Sequence, residues 1–374
     1  MQLISRNSQP EALIVGGGLA GAALGTLLAE RGRPVEIIEK SAGAHDKVCG
    51  EFLSHEALFY LEHLNINVES LGATSIQQVR LAADGLIAEC KLPFPAMSLT
   101  RRTLDEALLE RASRAGATVV RGCRVESLIS SDSGWVARLN DGTHRCAHNA
   151  FLATGKQDVS GHPRPGGRQD DLVAFKMYFR LARAQQDSLA NQVELILFPG
   201  GYAGLQLVEN GIANLCLLVT RRKLRDCLGQ WAALLNHMMR RSDYLAHRLE
   251  GSEPLLEKPL AVSSIPYGLL QSHAKDGLWR LGDQAAVIPS FSGDGMSIAL
   301  HSTHLAAKAY LGGNTAEWFQ QRLCHELRRS VGLSSAISRA VIANPLLAQI
   351  ARLWPSLLSD IASVTRVPPD AMLR

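Results

Sequence analysis

The sequence is poor in several features that define whole classes of protein. Its seven cysteines are odd in number and lack C-x-x-C spacing, which argues against both a disulfide framework and a zinc site. No uninterrupted apolar run approaches the roughly 18 residues of a transmembrane helix. The net charge is only +4 and no long run of Lys and Arg occurs, so nucleic acid is not an expected partner. We interpret the short basic clusters Arg221–Lys223 and Arg240–Arg241 as solvated helix faces.

What is present is the composition of an ordinary soluble enzyme. The hydrophobic content of 46% supports a substantial core in 374 residues, and 20% of the residues are charged. The length allows one large domain or two interleaved ones. No signal peptide precedes the first predicted strand, so we expect the reducing cytoplasm as the compartment.

The strongest local pattern begins near the N-terminus. Leu13–Val15 is a short, β-favouring apolar run, as a buried parallel strand requires. Gly16, Gly18 and Gly21 follow it with the spacing G-x-G-x-x-G, which allows a tight turn, a close approach of backbone to pyrophosphate and close packing of helix on strand. The next residues, 19–31, are predicted to form a helix whose N-terminus faces the phosphates.

A second strand completes this pattern. It is predicted over Val35–Glu39, and Glu39 stands 18 residues after Gly21. That spacing is close to the ~20 residues at which an acidic side chain binds an adenosine ribose. Strand, helix, second strand and terminal Glu together predict a dinucleotide site, whereas the glycines alone are compatible with a structural turn.

Beyond residue 39 the pattern departs from that of a domain that only binds NAD. The next predicted elements are a helix capped by Ser54 that ends near Leu64, strand-like residues 75–91 with a turn at Asp84-Gly85, a helix from Thr100 to Ala115, and a hairpin from Trp135 to Ala153 through Asn140–Gly142. Four predicted strands follow, at Leu172–Leu181, Val193–Phe198, Tyr202–Val208 and Ile212–Thr220. Asn210-Gly211 is a strong hairpin signal between the last two, and an antiparallel sheet of three or four strands is expected.

The C-terminal third is predicted to be largely helical. The elements are a helix over 224–250, a strand over 278–281, a helix over 296–310, and helices with breaks at Pro345 and Pro355. An apolar stripe of Trp354, Leu357, Leu358 and Ile361 either packs on the domain or lies on a membrane surface or substrate mouth. His301 and His304 share a helix face, but without a third ligand they are interpreted as structural or rim residues, and no metal is expected.

Three separated segments together carry a family resemblance. They are the N-terminal glycine motif with Glu39, the helix start Arg101-x-x-Leu-Asp105, and Gly282-Asp283 followed by Pro289 and the turn Gly293–Gly295. This combination, which spans nearly the whole chain, resembles the FAD-binding fold of para-hydroxybenzoate hydroxylase and its relatives. Within that superfamily the chain is most similar to the geranylgeranyl reductase-like branch, through Cys49-Gly-Glu51 and Phe198-Pro-Gly-Gly-Tyr-Ala-Gly204.

The resemblance implies FAD as cofactor and assigns residues to it. The implied cofactor-binding residues are Gly16, Gly18, Gly21, Glu39, Arg101, Asp283, Pro289, Gly293 and Gly295. Asp283 would accept hydrogen bonds from the ribityl hydroxyls, and Arg101 would sit by the ribityl chain or a phosphate. The alternatives are a strand-end cap for Asp283 and a surface helix start for Arg101. The helix N-terminus behind Gly293 and Gly295 would stabilise negative charge on the reduced ring.

The same resemblance places candidate catalytic residues and a substrate face. Cys49 would lie near the isoalloxazine, the alternative being a buried structural cysteine. Lys47 and Glu51 flank it, and either shapes the charge of the pocket or is a solvated loop residue. Lys176, Tyr178 and Tyr202 fall on predicted sheet positions that would face the substrate.

The sequence also departs from the family pattern. Relatives that hydroxylate aromatic rings carry Asp-Gly after the strand that ends here at Ala153, but this chain reads Ala153-Thr-Gly155, which puts hydroxylase-type use of NADPH in doubt. The Trp-x-Trp signature of flavin halogenases is absent, so halogenation is not expected. A second G-x-G-x-x-G is absent too, which argues against a separate pyridine-nucleotide domain. Electrons would come from transiently bound NAD(P)H or from a partner protein.

These observations predict an α/β fold with a Rossmann-like FAD domain, an inserted antiparallel substrate sheet and a helical C-terminus. The expected boundaries are 1–74, 98–160 and 275–330 for the FAD domain, 75–97 and 161–274 for the substrate domain, and 331–374 for C-terminal helices. The predicted function is hydride transfer between flavin and a carbon–carbon bond of an apolar or secondary-metabolite substrate, with peripheral membrane contact or a donor protein as partners to consider. The alternatives are an FAD-dependent monooxygenase acting on such a substrate and a non-catalytic nucleotide-binding sensor.

Overall fold

In the computed structural model, residues 10–83, 85–343, 360 and 363–372 are described, and they form three sheets with helices packed between and around them. The first sheet is parallel, and we call this sheet with the helices packed on it the cofactor half, after the binding role that the sequence predicts for it. From edge to edge its strands are β17 (Trp279–Arg280), β10 (Asn149–Leu152), β1 (Ala12–Val15), β2 (Val35–Glu39) and β6 (Thr118–Arg121). Ala12, Leu13 and Ile14 are fully buried, as expected for a strand covered on both faces.

Helices cover one face of this parallel sheet. Ile14 and Ile37 pack into one apolar cluster with side chains of the four helices α1 (Leu19–Ala29), α2 (His55–His63), α3 (Arg101–Arg114) and α8 (Gly295–Leu311). The sequence predicts the starts of these helices well because their caps are local. The Ser54 hydroxyl accepts a hydrogen bond from the Ala57 amide at 3.4 Å, and the Thr100 hydroxyl accepts one from Thr103 at 3.3 Å.

A three-stranded antiparallel sheet covers the other face, through Leu13 and Val15. Its strands are β7 (Val125–Ser131), β8 (Gly134–Leu139) and β9 (His144–Ala147). The predicted hairpin through Asn140–Gly142 is therefore closed by His144–Ala147. The expected return strand at Phe151 is wrong, because that residue lies in β10 of the parallel sheet, opposite Ile14.

The second sheet is larger than predicted and mixed. In order its strands are β15 (Glu253–Pro254), β11 (Leu172–Arg180), β14 (Ala213–Thr220), β13 (Gly201–Leu207), β12 (Gln192–Phe198), β4 (Thr74–Ala83), β5 (Leu86–Ser98) and β3 (Phe52–Leu53), with β16 (Leu260–Ser263) beside β11. The expected three or four antiparallel strands are β11 to β14. The pairing of β12 with β4 is parallel and joins residues more than a hundred positions apart, which no local turn signal encodes.

The predicted single helix over 224–250 is also wrong, because the segment is broken into three. These are α5 (Arg221–Asp226), α6 (Trp231–Arg241) and α7 (Asp243–Arg248); α4 (Arg183–Leu189) precedes them. Leu228 and Gly229 both have positive φ angles, which end α5. Ser242 then caps α7 by accepting a hydrogen bond from the Leu245 amide at 3.2 Å.

The last long element is α9 (Ala316–Ala343), whose Phe319 and Leu323 pack on the cofactor half. The helical C-terminal region is therefore as predicted. The stripe Trp354, Leu357, Leu358 and Ile361 lies outside the described residues, as does Asp84 of the predicted turn. No helix in the described part of the chain combines the length and apolar content needed to cross a bilayer.

Candidate functional site

The glycine loop after β1 has no room for side chains. Gly16 has a φ of +104°, and a Cβ there would lie 2.6 Å from the Ala153 carbonyl oxygen. A Cβ on Gly21 would lie 1.8 Å from the Gly16 carbonyl oxygen, so α1 packs on its own strand only without a side chain. Gly18 is the N-cap of α1, where free backbone amides are directed at the loop.

A cluster of two cations and one acid lies beside this helix start. The Lys47 ammonium contacts Asp105 at 2.6 Å, and the Arg101 guanidinium contacts the same carboxylate at 2.9 and 3.0 Å. A Cβ on Gly18 would approach Lys47 Nζ to 3.3 Å and Arg101 Nη2 to 3.5 Å. Burial alone would raise the pKa of Asp105, but the two cations hold it below its usual value. One positive charge therefore remains in excess beside the loop that is expected to bind pyrophosphate.

Glu39 lies at the other end of the loop. It is buried, and its carboxylate accepts hydrogen bonds from the Gly17 amide at 2.7 Å and the Ser41 amide at 2.9 Å. A Cβ on Gly17 would meet both Glu39 and the Leu109 side chain at 2.9 Å. Leu109 also lines a groove of about 670 Å³ beside α3, together with Ala44 and Val119.

Asp283 comes from the far end of the chain to the same region. It lies just after β17, and its carboxylate is 3.5 Å from Lys156 Nζ. The pKa of Arg101 would be lowered by burial but is raised above its usual value by Asp105, Cys49 and Asp283. Cys49 and Asp283, which the sequence assigned separately, therefore both lie within electrostatic range of Arg101.

The turn before α8 is held by the second sheet. Pro289 is buried and precedes a short 3₁₀ turn over Ser290–Ser292, after which Gly293 adopts a φ of +74°. A Cβ on Gly293 would lie 2.6 Å from the Phe52 ring, so the tight turn requires glycine there. The Phe291 amide donates to the Tyr202 hydroxyl at 3.1 Å, and the Tyr267 and Ser290 hydroxyls lie 3.0 Å apart.

Asp294 is a buried acid inside this turn. It lies between Gly293 and Gly295, and Gly295 opens α8. Arg366, from the C-terminal end of the described chain, donates to its carboxylate at 2.6 Å and stacks over the Phe94 ring at 4.2 Å. Burial raises the pKa of Asp294 to about 7, although Arg366 opposes the shift.

Glu51 is the centre of a buried network between the two large sheets. Its backbone is left-handed (φ +61°) and its side chain is fully buried, so it is not the solvated loop residue of the open alternative. Lys176 Nζ lies 2.5 Å from its carboxylate, and Tyr178 and Asn214 donate to it at 2.9 and 3.1 Å. The Arg101 amide donates at 2.8 Å. Burial raises the pKa of Glu51 although Lys176 lowers it.

The same network fixes the loop that carries Cys49. The Asn214 amide group donates to the carbonyls of Cys49 at 3.2 Å and Gly50 at 3.0 Å. Cys49 is half-buried at the edge of the cofactor-half core. Burial, and then the proximity of Cys49, raise the pKa of Cys216 to about 12, so the Cys216 thiol is protonated at neutral pH.

One face of the nine-stranded sheet is directed at this loop and turn. Lys176 and Tyr178 on β11 and Tyr202 on β13 all lie on this face, in strands that the sequence predicts. Near Glu51 the face is polar; farther along the strands it becomes apolar. We call this apolar part, with the residues of the cofactor half that pack on it, the apolar front face: Leu81, Ala83, Ala174, Leu197, Tyr202, Leu218, Val287 and Phe291.

Sequence reasoning missed Asn214, Asp294 and Arg366. Asn214 had a weak signal, since it is the polar residue near the start of an otherwise apolar strand. Its partners depend on strand pairing across more than 160 residues, which the sequence does not reveal. The predicted pair His301 and His304 lies farther along α8, beyond the turn over Pro289–Gly295: His301 bridges Tyr60 and Glu326, each at 2.8 Å, and burial lowers the pKa of His304 to about 4.

Comparison with known proteins defines the class of this protein. Residues 9–149 match the family described as "FAD binding domain". That segment holds the glycine loop, Glu39, the Lys47 loop and Arg101, and the glycine cradle and adjoining excess cation fit the diphosphate of this cofactor. The protein is an FAD-dependent enzyme, and its matches support the superfamily of FAD-dependent oxidoreductases and monooxygenases.

Individual relatives extend over most of the chain. The menaquinone reductase of Mycolicibacterium smegmatis is 26% identical over 333 residues, which cover 83% of this chain and 79% of the relative. Protein FixC of Escherichia coli is 24% identical over 349 residues, which cover 85% of this chain and 80% of the relative. A flavoprotein/dehydrogenase structure from Cytophaga hutchinsonii superposes with a TM-score of 0.81 at 17% identity, covering 98% of this chain and 93% of that one, and shows the shared fold.

Proposed function

We propose that the protein is an FAD-dependent reductase or dehydrogenase of the geranylgeranyl reductase-like type, acting on a carbon–carbon bond of an apolar substrate. The observation that carries the proposal is the apolar front face, which lies against the turn at Pro289–Gly293 and beside the Cys49 loop. The menaquinone reductase relative supports a quinone with an apolar tail as the first substrate class to examine.

In this proposal the cofactor lies along the residues that the sequence assigned to it. Glu39 binds the adenosine ribose, and the α1 N-terminus with Gly16, Gly18 and Gly21 binds the diphosphate. Arg101 and Asp283 hold the ribityl end, and Pro289, Gly293 and Gly295 line the ring. When bound there, FAD supplies hydride transfer at flavin N5. The domain boundaries expected from the sequence follow the same division, with the nine-stranded sheet as the substrate side.

The protein's own contribution is position and exclusion of water. In this proposal the substrate binds where the apolar front face meets the turn before α8 and the Cys49 loop, and the closely packed apolar side chains of that face keep solvent away from it. Lys47, bound to Asp105, adds positive charge beside the diphosphate. Cys49 lies within electrostatic range of Arg101 and of Cys216 on the substrate sheet, and we assign it to the reacting region.

Glu51 and Lys176 are positioning residues in this scheme. The two side chains contact each other and are closed to solvent. We therefore assign them to holding the Cys49 loop against the sheet and not to contact with substrate. Tyr178 stays a neutral phenol because burial raises its pKa, and it completes the same clamp. Electrons reach the cofactor from NAD(P)H bound transiently or from a donor protein.

The test is anaerobic reduction of the FAD-loaded protein, followed by addition of a polyprenyl quinone or a simpler conjugated alkene. The proposal expects reoxidation of the flavin without oxygen and a product that stays heavier by two hydrogens after exposure to air, because a quinol would be oxidised back to the quinone whereas a reduced carbon–carbon bond would not. NADH and NADPH are compared as reductants in the same experiment. Reoxidation that requires oxygen, with a C4a-hydroperoxide absorption and an oxygenated product, would establish the alternative monooxygenase instead. A protein that takes up no FAD would refute both.

A further inference from the structure

The two basic clusters noted in the sequence, Arg221–Lys223 and Arg240–Arg241, lie within electrostatic range of one side chain. His237, on α6, is influenced by both: burial lowers its pKa, and Lys223, Arg241 and Arg240 lower it further. Arg222, Arg240 and Arg241 are exposed. We call these residues with Lys223 and His237 the basic helix face.

The charge of this region is large compared with that of the chain. Residues 221–243 contain six Lys or Arg and two Asp, so the segment carries +4, equal to the net charge of all 374 residues. Asp226 offsets part of it, lying 3.8 Å from Lys223, and Asp243 is the other acid of the segment. A local excess of this size attracts a surface of opposite charge.

An exposed leucine stands at the tip of the same region. Leu228, between α5 and α6, is 80% exposed, the highest value for a large apolar side chain among the described residues. Its φ is +56°, a conformation that is unfavourable for a residue with a branched side chain. The left-handed backbone that ends α5 leaves this side chain in solvent next to exposed arginines, where an apolar contact can add to an electrostatic one.

Helices α5 and α6 pack on the side of the nine-stranded sheet opposite the apolar front face, where Trp231 and Leu234 lie in one cluster with Phe175, but α5 begins at a strand end that both sides share. Helix α5 follows directly on β14, which carries Leu218. A Cβ on Gly200, in the turn between β12 and β13, would lie 3.3 Å from Lys223 Cβ. The helix therefore begins at the end of the sheet where Leu197 and Tyr202 lie.

We propose that the basic helix face and Leu228 dock on the surface of an anionic lipid bilayer. The arginines contact headgroup phosphates, and Leu228 enters the boundary between headgroups and acyl chains. The inference rests on the proposed function for its purpose, since an apolar substrate dissolved in the bilayer would meet the protein at the end of the front face.

Vesicle flotation of the full-length, FAD-loaded protein tests the surface without turnover. We expect binding to vesicles of phosphatidylcholine with 30% phosphatidylglycerol, and weak binding to phosphatidylcholine alone. Arg240→Gln/Arg241→Gln should weaken binding by at least about tenfold, given the contribution of each cation near an anionic surface. The matched control Arg114→Gln/Arg138→Gln removes two exposed arginines outside the face and should bind as wild type.

Leu228→Gly separates docking from folding. Glycine relieves the left-handed backbone, so we expect the variant to be at least as stable as wild type but to bind the anionic vesicles several-fold more weakly. Equal binding to neutral and anionic vesicles, or binding unaffected by all these variants, would overturn the proposal. So would preferential binding of a mixed-sequence duplex DNA that competes the vesicles away.

Turnover distinguishes failure of the surface from failure of the proposed function. The variants should reduce a short-chain, water-soluble analogue at the wild-type rate but lose rate on substrate presented in anionic vesicles. Vesicle binding without turnover of either substrate would count against the proposed reaction and leave the surface in place. Turnover of both substrates with no vesicle binding would refute the docking surface and leave the proposed reaction in place.

Discussion

Glu51 joins the two halves of the molecule through one carboxylate. It receives the Arg101 amide from the cofactor half, and the Lys176 and Asn214 side chains from the nine-stranded sheet. A buried ion pair of this kind adds little net stability, but removal of one partner leaves an uncompensated charge. The pair therefore fixes geometry more than it stabilises the fold.

Replacement of Glu51 by Gln should accordingly destabilise the protein by about 3 kcal/mol, because the Lys176 ammonium is left buried without its counter-charge. Urea unfolding of the FAD-loaded protein measures the loss. Adding Lys176→Met should recover part of it, since the orphan charge is then removed as well. Losses that simply add in the double variant would show that the two side chains do not act as a pair.

Asp283 allows a test of cofactor binding at a single side chain. Asp283→Asn removes the charge expected to accept from the ribityl hydroxyls, and a hydrogen bond to a charged group contributes about 1.5–3 kcal/mol. We expect FAD to bind at least about tenfold more weakly, as measured by flavin fluorescence titration. Asp276→Asn is the matched control, because Asp276 pairs with Arg280 at 2.6 Å in the preceding loop. Equal affinity in both variants would remove Asp283 from the site.

The start of α8 is where we expect the stability of the fold to depend on pH. Asp294 lies in its first turn with a pKa raised by burial to about 7, against about 3.8 when unfolded. Arg366 and the Ser297 hydroxyl stabilise the charged carboxylate of Asp294, whereas the negative charge of Glu56 opposes it. Because the folded state holds the proton more tightly, this group contributes stability that is complete below pH 4 and is lost as the pH rises through 7.

Asp294→Asn should remove that dependence. The difference in unfolding free energy between wild type and variant, measured from pH 4 to 8, should change in favour of the variant as pH rises and level off above 7. Asp370→Asn, in the same C-terminal segment as Arg366, serves as control for charge changes there. A difference that does not vary with pH would mean that Asp294 titrates near its ordinary value.

The elements that the sequence predicts well are those whose signals are local. Gly18 and Leu19 define the start of α1, and Ser54 and Thr100 cap their helices through residues three positions away. The end of α5 was missed although Gly229 is a residue type that often ends a helix, because the left-handed Leu228 before it carries no sequence signal. Its exposure instead reflects what the surface binds in our proposal.

At the scale of the molecule, the cofactor assignment drew on segments that are distant in sequence. Gly18, Arg101 and Asp283 come from three parts of the chain, and the family resemblance predicts that they belong to one cofactor site. The buried partners were not predictable in this way. Lys176 meets Glu51, and Arg366 meets Asp294, only because strands and a terminal segment pair over long separations, and periodicity does not encode such pairings.

A site assembled from distant segments should couple cofactor binding to global stability. FAD at a hundred times its dissociation constant should raise the free energy of unfolding by about 2.7 kcal/mol. Thermal unfolding of the apo and loaded protein measures this gain as a shift in Tm. Arg101→Gln, at the same FAD concentration, should show a smaller shift. Stabilisation equal to that of wild type would show that Arg101 does not contact the cofactor.

The order of strands in the parallel sheet also determines when each strand can pair with its neighbours during translation. Ile14 of β1 pairs with Phe151, which pairs in turn with Trp279. At about 5–20 residues per second, β10 is synthesised on the order of ten seconds after β1, although β2, the partner on the other edge of β1, follows within a few seconds, and the sheet is completed later still. The nascent chain therefore passes through an interval with an open, apolar strand edge and no complete cofactor cradle.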